Sequence, residues 1–160
     1  MRKIVNYIAT LLIFSSCSYS GIVITENELP EEVFYLADQI KPYTGKCVMY
    51  YHNTEIVKQE MRFKNGKLDG TLISYFKDGS IKRKGEYTKG LYNGKWEEWD
   101  ENGKKLYEVH YKNDTLCGNF MIWYSTGVLK QKGIYAENSK YGVWTEFDEA
   151  GMIIKKKNYN

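Results

Sequence analysis

The side chains able to bind a metal ion are few and poorly spaced for that task. Among the 160 residues there are two histidines, His52 and His110, and neither has a cysteine or second histidine at the spacing of a zinc site. The Glu-x-Asp-x-Asn-Gly pattern of residues 98–103 resembles the start of an EF-hand calcium loop, but Val109 stands where the closing glutamate belongs. We therefore expect no metal and no cofactor, hairpin-turn chemistry in this segment, and a surface role for His110.

Acid–base and nucleophilic chemistry also lack a motif. The chain has no Gly-x-Ser-x-Gly sequence and no phosphate-binding loop. Glu97, Glu98 and Glu108 come nearest to a carboxylate pair, but lysines surround them, which favours solvated ion pairs between strands. The sequence predicts a protein that is not an enzyme and takes no small-molecule substrate.

Lipid attachment is the one covalent chemistry that the sequence predicts, and it falls on Cys17. Arg2 and Lys3 precede the apolar run Ile4–Phe14, and two serines then lead to the cysteine. This order is typical of a secretory signal, and the run is too short for a transmembrane helix. The exit resembles the bacterial lipobox, which implies cleavage after residue 16, a lipid on Cys17 and a place in the cell envelope. The alternative is an ordinary signal peptide with a chance cysteine.

The charge balance excludes one class of partner. Residues 1–16 contain two cations and no acids, so their removal lowers the net charge from +3 to +1. A nearly neutral chain is not expected to bind nucleic acid.

The elements that position these side chains repeat every 24 residues, a period typical of stacked supersecondary units. Each unit opens on a glycine, and we number the positions of a unit from that glycine as zero. The shared columns are position zero (Gly70, Gly94, Gly118, Gly142), two (Leu72, Trp96, Phe120, Trp144), five (Tyr75, Trp99, Trp123, Phe147), nine (Gly79, Gly103, Gly127, Gly151), seventeen (Tyr87, Tyr111, Tyr135, Tyr159) and twenty (Gly90, Asp114, Asn138). The residue types at position twenty tolerate a left-handed backbone, which marks a turn.

Each unit reads as a β-hairpin, because two apolar–polar runs flank a three-residue loop that ends in glycine. Such a loop suits a type I turn closed by a bulge, and it sets position five opposite position eleven, as in Tyr75 and Ile81. In the second unit position eleven is Lys105, followed by Leu106, so we expect a local slip or bulge there. The aromatic positions two and five lie three apart. Either a bulge rotates one of them, or both faces of the sheet are partly covered.

These patterns predict an all-β fold, an open antiparallel β-meander of about five repeated hairpins in a single twisted sheet. Residues 1–16 are predicted to be the lipoprotein signal peptide, 17–32 a lipidated tether, and 33–160 the β-hairpin repeat domain. The repeats start near residues 45, 70, 94, 118 and 142.

Three further features follow from this arrangement. Short strands are expected at Ile22–Thr25 and Val33–Leu36. The alternative for Val33–Leu36 is the start of an amphipathic helix after Pro30. Cys47 and Cys117 would lie several strands apart, too far for a disulfide, and are predicted to be free thiols. The lysines at 155–157 are expected to protect the edge of the sheet from unwanted pairing.

The repeats resemble the bacterial variant of the MORN (membrane occupation and recognition nexus) repeat. The similar stretches are Asn65–Gly70, Asp78–Lys82, Gly85–Gly90 and Asn93–Trp96, with Pro42–Lys46 as the entry to the array. The resemblance covers Tyr43–Tyr159 and implies a β-meander, no enzymatic activity, and a binding or scaffolding role. Bacterial members are often described as the antitoxin half of a toxin–antitoxin pair. Because this chain carries an export signal, an immunity protein of the envelope fits better.

Two functions follow from these features. The first is a non-enzymatic, lipid-anchored protein-binding module of an antitoxin-like or immunity-like kind. Its protein partner is unidentified, and a toxin is one candidate. The alternative is an envelope scaffold or membrane-apposed structural protein, in which lysines at alternate positions form a basic stripe toward anionic headgroups. Those lysines are Lys82, Lys84, Lys130, Lys132 and Lys156. A solvated face is the favoured interpretation of the stripe, because Leu106 and Glu108 interrupt it in the second unit.

Overall fold

Every regular element in the described residues is a β-strand. The computed structural model describes residues 21–23 and 41–160, with side chains for 41–160. The strands are β1 (Gly21–Val23), β2 (Gly45–Tyr50), β3 (Val57–Lys64), β4 (Lys67–Leu68), β5 (Gly70–Tyr75), β6 (Ile81–Thr88), β7 (Leu91–Trp99), β8 (Lys105–Lys112), β9 (Thr115–Trp123), β10 (Leu129–Ala136), β11 (Ser139–Phe147) and β12 (Ile153–Tyr159). The predicted signal peptide, Cys17, most of the tether and the strand at Val33–Leu36 lie outside the described residues.

The strands form one open sheet in the order of the chain, which confirms the predicted meander. The order runs β1-β2-β3-β5 and then consecutively from β6 to β12, with β4 paired to β3. All pairings from β2 onward are antiparallel, and they make five hairpins. β1 pairs in parallel with β2 and coincides with the first part of the short strand expected at Ile22–Thr25.

Equivalent strands begin 24 residues apart, as the sequence period requires. The outgoing strands β7, β9 and β11 start at Leu91, Thr115 and Ser139. In the first complete unit the same strand is split into β4 and β5 at Asp69, whose amide donates to the Arg62 carbonyl at 2.9 Å. Sequence periodicity and strand periodicity are therefore the same.

The loop within each hairpin has the predicted conformation. In the first complete unit the Gly79 amide donates to the Phe76 carbonyl at 3.0 Å, and the glycine has φ +87°. Tyr75 then lies opposite Ile81, as expected. The second unit keeps the same register, with Trp99 opposite Lys105. The bulge expected in this unit is confirmed, with Leu106 as the extra residue. It is not special to this unit, because the units that begin at Gly70, Gly118 and Gly142 carry a one-residue bulge at the same point.

The turns between units are two-residue turns in which both residues have positive φ. Examples are Asn113–Asp114, at +50° and +63°, and Glu137–Asn138, at +48° and +65°. This is the type I′ geometry that matches the right-handed twist of paired strands. The turn predicted at position twenty is confirmed, and the residue before it is left-handed as well.

The glycine that opens each unit lies in a second bulge. Where β6 meets β7, three residues beginning at Gly94 lie opposite the single residue Gly85. Gly94 has φ +66°, and its equivalents Gly118 and Gly142 have +78° and +62°. A backbone in this region favours glycine, which explains why the column is invariant within the array.

Strand alternation then separates the two aromatic columns. The register shift beside Trp99 comes from the extra residue Leu106 in β8, so β7 itself alternates regularly from Trp96 to Trp99. The two tryptophans are three residues apart and therefore project from opposite sides of β7. We name the side with Leu72, Trp96, Phe120 and Trp144 the core face, and the side with Tyr75, Trp99, Trp123 and Phe147 the ladder face. Both faces are partly covered, which decides between the two alternatives that the sequence left open.

Candidate interaction surfaces

The core face is occupied by packing within the chain. Trp96 lies flat on Gly85, where an added Cβ atom would overlap the indole ring. The indole Nε1 donates to the Glu86 carbonyl at 3.1 Å, and Trp96 is only 2 % exposed. Trp144 repeats the arrangement on Gly133, which indicates a structural role for this face.

Tyrosine rings extend this packing across the units. The ring centroids of Tyr92 and Trp96 are 4.6 Å apart, and those of Tyr92 and Tyr111 are 5.2 Å apart. Burial, together with a hydrogen bond to Tyr92, raises the pKa of Tyr87. Burial also raises the pKa of Tyr107 to about 12. These phenols therefore stay neutral at physiological pH and act as apolar and hydrogen-bonding groups.

The centre of the ladder face is organised around Lys105. Its Nζ lies 2.5 Å from Oε1 of Glu97 and 2.9 Å from Oε2 of Glu108. The same ammonium group is 5.8 Å from the ring centroid of Trp99 and 5.7 Å from that of Trp123. One lysine thus joins the aromatic residues of two neighbouring units, an interaction of the cation–π type.

Hydrogen bonding outweighs burial in setting the charges of this cluster. Burial by itself would raise the pKa of Glu97, but hydrogen bonds from Lys105 and Lys95 hold it below its ordinary value. Burial would lower the pKa of Lys105, and its hydrogen bonds to Glu97 and Glu108 raise it instead. The cluster is therefore ionised at neutral pH and has little tendency to exchange protons, as in a structural ion pair.

The five lysines singled out from the sequence do not form a continuous stripe. Lys84, Lys132 and Lys156 share one row across the ladder face, but other residues occupy the intervening strands. From β6 to β12 the row reads Lys84, Glu97, Glu108, Met121, Lys132, Thr145 and Lys156. Lys82 and Lys130 are the extra residues of two bulges, with Nζ atoms 5.7 and 5.2 Å from the ring centroids of Phe76 and Tyr124.

A shallow groove of about 390 Å³ lies on the ladder face over strands β10, β11 and β12. It brings together two of the predicted lysines, Lys132 and Lys156, on either side of Thr145. The apolar residues Val143, Phe147 and Ile153 complete the lining. The alternation of the sequence placed the lysines on one face, but it did not identify the apolar residues beside them.

The acidic segment at residues 98–103 forms a turn, as the sequence predicted. The Asp100 carboxylate accepts hydrogen bonds from the amides of Asn102 and Lys104, each at 2.9 Å. Within residues 41–160, no three side chains of histidine, cysteine, aspartate or glutamate are grouped to hold a metal ion. Asp100 therefore serves the backbone of the hairpin.

Neither Cys47 nor Cys117 is in a disulfide, as the strand order predicted. Cys47 is fully buried, and burial raises the pKa of its thiol to about 12. A thiol in this state is a poor nucleophile, since the thiolate is the reactive form. Cys47 acts as a small apolar side chain of the core.

The fold defines a β-hairpin repeat protein, and comparison with protein families shows which repeat its units resemble. Residues 68–89, 92–113 and 140–160 are similar to the MORN repeat variant. The first two segments start 24 residues apart, and the third starts 48 residues after the second. The unit that begins at Gly118 lies in the unmatched interval and has the same turns and bulges as its neighbours. The similarity indicates a repeat-based binding module, a type that is often membrane-associated.

A comparison with curated proteins found no match. Within the described part of the chain, no helix has the length and apolar character needed to cross a membrane.

Proposed function

We propose that this chain is a non-enzymatic protein-binding module that meets its partner on the ladder face. In this proposal, a lipid on Cys17 holds the module at the cell envelope, and the bound partner is a protein such as a toxin, as expected of an antitoxin-like or immunity protein. The similarity to the MORN repeat variant supports a binding role. The near-neutral charge of residues 17–160 argues against nucleic acid as the partner.

One observation carries the proposal: the chain uses its two aromatic rows differently. Leu72, Trp96 and Trp144 of the core face are 6 %, 2 % and 3 % exposed, and Phe120 is half-buried. In the corresponding row of the ladder face all four residues are half-buried and none is buried. Val143 and Ile153 beside them are 51 % and 58 % exposed. Accessible aromatics with neighbouring apolar and charged groups are the usual anchors of protein interfaces.

Site-specific photo-cross-linking in cells tests the choice of face. A photoreactive amino acid replaces Lys84 or Ile134 on the ladder face, and in matched controls Lys155 or Lys157 on the core face. All four positions are exposed, so accessibility does not distinguish them. We expect one protein to be captured from the ladder face only. Capture from the core face alone, or from neither face, would refute the proposal.

The anchor needs its own test, because Cys17 lies outside the described residues. Cells grown with an alkyne-tagged fatty acid should incorporate it into the wild-type protein and not into the Cys17→Ser variant. A wild-type protein without label would show that this chain is not lipidated.

The alternative function, a scaffold apposed to the membrane, has less support from the geometry. A bilayer with anionic headgroups attracts a broad basic surface. Glu97 and Glu108 interrupt the row of lysines at the centre of the ladder face. Salt-sensitive binding to anionic vesicles, with no protein captured by cross-linking, would favour the scaffold instead.

A further inference from the structure

We propose that the groove over β10–β12 is a receptor for an acidic side chain, presented by an apolar, extended segment of the protein partner. This inference rests on the proposed function and specifies where the contact is made. The groove is defined by Lys132, Val143, Thr145, Phe147, Ile153 and Lys156.

The first argument compares the groove with the equivalent place in the second unit. Position three of that unit is Glu97, which lies beside Lys84 in the row and accepts hydrogen bonds from Lys105 and Lys95. In the last unit, position three is Thr145, between Lys132 and Lys156. Lys132 stands where Lys84 does, but Thr145 replaces Glu97 and Lys156 replaces Glu108. The last unit therefore keeps its cation in this row and has neither carboxylate. A carboxylate from a partner would take the place that Glu97 fills within the chain.

The second argument is that the groups facing the groove have unused bonding capacity. Among the described residues, neither Lys132 nor Lys156 lies within ion-pair distance of a carboxylate, and both side chains are exposed. The Lys132 Nζ lies 5.9 Å from the ring centroid of Phe147, a contact that leaves its hydrogen-bond donors available. The Thr145 hydroxyl has no hydrogen-bond partner among the described residues. Because residues 41–160 contain no buried side-chain oxygen without a partner, this oxygen keeps some contact with solvent. Two ammonium groups and a hydroxyl together suit an anionic oxygen ligand.

The apolar wall decides what kind of molecule carries the anion. Val143 and Ile153 are more than half exposed, and Phe147 lies beside them in the groove. A partner segment with apolar residues next to its acid would cover these side chains as the acid binds. An anionic bilayer would instead bring headgroups against Glu97 and Glu108 on the same face, an unfavourable contact. In a symmetric contact with a second copy, the two identical grooves would place lysines against lysines, which is also unfavourable.

The test uses the full chain in a nonionic detergent and fluorescence anisotropy with two labelled peptides. One is a short peptide of alternating valine and threonine with a single central glutamate, and the other has glutamine there. The charge-reversed variant is Lys132→Glu/Lys156→Glu. The matched control is Lys112→Glu/Lys157→Glu, which changes the net charge equally at exposed lysines outside the groove.

We expect the glutamate peptide to bind wild type about fivefold more tightly than the glutamine peptide. Charge reversal in the groove should weaken it about tenfold, or about 1.4 kcal/mol. The control should change it less than about twofold, because distant exposed charges are screened. Thr145→Val, which removes the hydroxyl at nearly constant shape, should also weaken binding.

Several results would overturn the groove as a receptor. These are equal affinity for the two peptides, no saturable binding of the glutamate peptide, or an equal loss in the control. If wild type binds phosphatidylglycerol vesicles and Lys132→Glu/Lys156→Glu does not, the groove contacts a membrane instead. If wild type self-associates in sedimentation and that variant does not, the groove contacts a second copy. If a partner still cross-links fully to that variant from Lys84 or Ile134, the proposed function stands and the groove is not its contact.

Discussion

At the scale of single residues, the array matches a small side chain in one unit to a large one in the next. Position fifteen of each unit lies under position two of its neighbour on the core face. The pairs are Gly85 with Trp96, Val109 with Phe120, and Gly133 with Trp144. Glycine accompanies tryptophan and valine accompanies phenylalanine, because the space between adjacent strands is constant.

Substitution of Gly85 tests this complementarity. We expect Gly85→Ala to lower the free energy of unfolding by about 1–3 kcal/mol, because the new methyl group overlaps the Trp96 indole. Urea unfolding followed by tryptophan fluorescence measures the change. The double variant Gly85→Val/Trp96→Phe reproduces the natural pair Val109–Phe120 and should be more stable than Gly85→Val alone. Equal stabilities for these two variants would show that the ring does not set the size limit.

At the scale of the hairpin, three unusual residues of the second unit depend on one another. At position eleven this unit has Lys105, where the other units have Ile81, Leu129 or Ile153. Among the four units, this one alone has a glutamate at position three and another at position fourteen. Lys105 contacts both of them, Glu97 and Glu108. Lys105 is 30 % exposed and the two glutamates are 13 % exposed, and partly buried charges are stabilised when they are paired. The three departures therefore compensate one another.

The pH dependence of stability should report this cluster. The pKa of Glu97 is depressed in the folded protein, so its stabilisation is present above the unfolded value of about 4.3 and is lost as pH falls through the folded pKa. Glu97→Gln should cost about 1–2 kcal/mol at neutral pH. Its Tm should also fall less between about pH 5 and pH 3 than that of wild type.

The matched control for Glu97 is Glu101→Gln, a carboxylate in the exposed hairpin turn of the same unit. This variant should keep the wild-type stability at neutral pH. If it lost as much stability as Glu97→Gln, the effect would come from net charge and not from the contact with Lys105.

At the scale of the whole molecule, strands pair only with their neighbours along one continuous sheet. Stability in such an array is approximately a sum over units and the interfaces between them. The units that begin at Gly70, Gly94 and Gly118 each have 24 residues and the same two turns, so such a unit can be removed without disturbing the pairing rules of the remainder.

Two internal deletions test this property of the array. Removal of residues 94–117 takes out one period and joins Asn93 to Gly118, which keeps every side chain on its face. Removal of 94–116 leaves one extra residue in the strand and reverses the faces beyond it. We expect the first protein to fold with reduced stability and to retain a near-ultraviolet tryptophan signal. The second should lose that signal, and the same behaviour in both would contradict the repeat model.

The order of residues along the chain is enough to predict the loops, the turns and the strand order. The spacing of Gly79 and its equivalents predicted the hairpin loops and the register of Tyr75 against Ile81, because turn geometry fixes both. Residue types at Asp114 and Asn138 predicted the turns between units, because few side chains tolerate positive φ. The strand order that follows from these turns kept Cys47 and Cys117 apart.

Contacts between side chains of different strands became known only from the folded sheet. A sequence shows that Trp96 and Trp99 are three residues apart, but only the pairing with β8 and the bulge at Gly94 assign their faces. The stacking of Trp96 on Gly85, the cluster around Lys105 and the groove around Thr145 all join different strands. Such contacts depend on distances between paired backbones, which the order of residues along one strand does not contain.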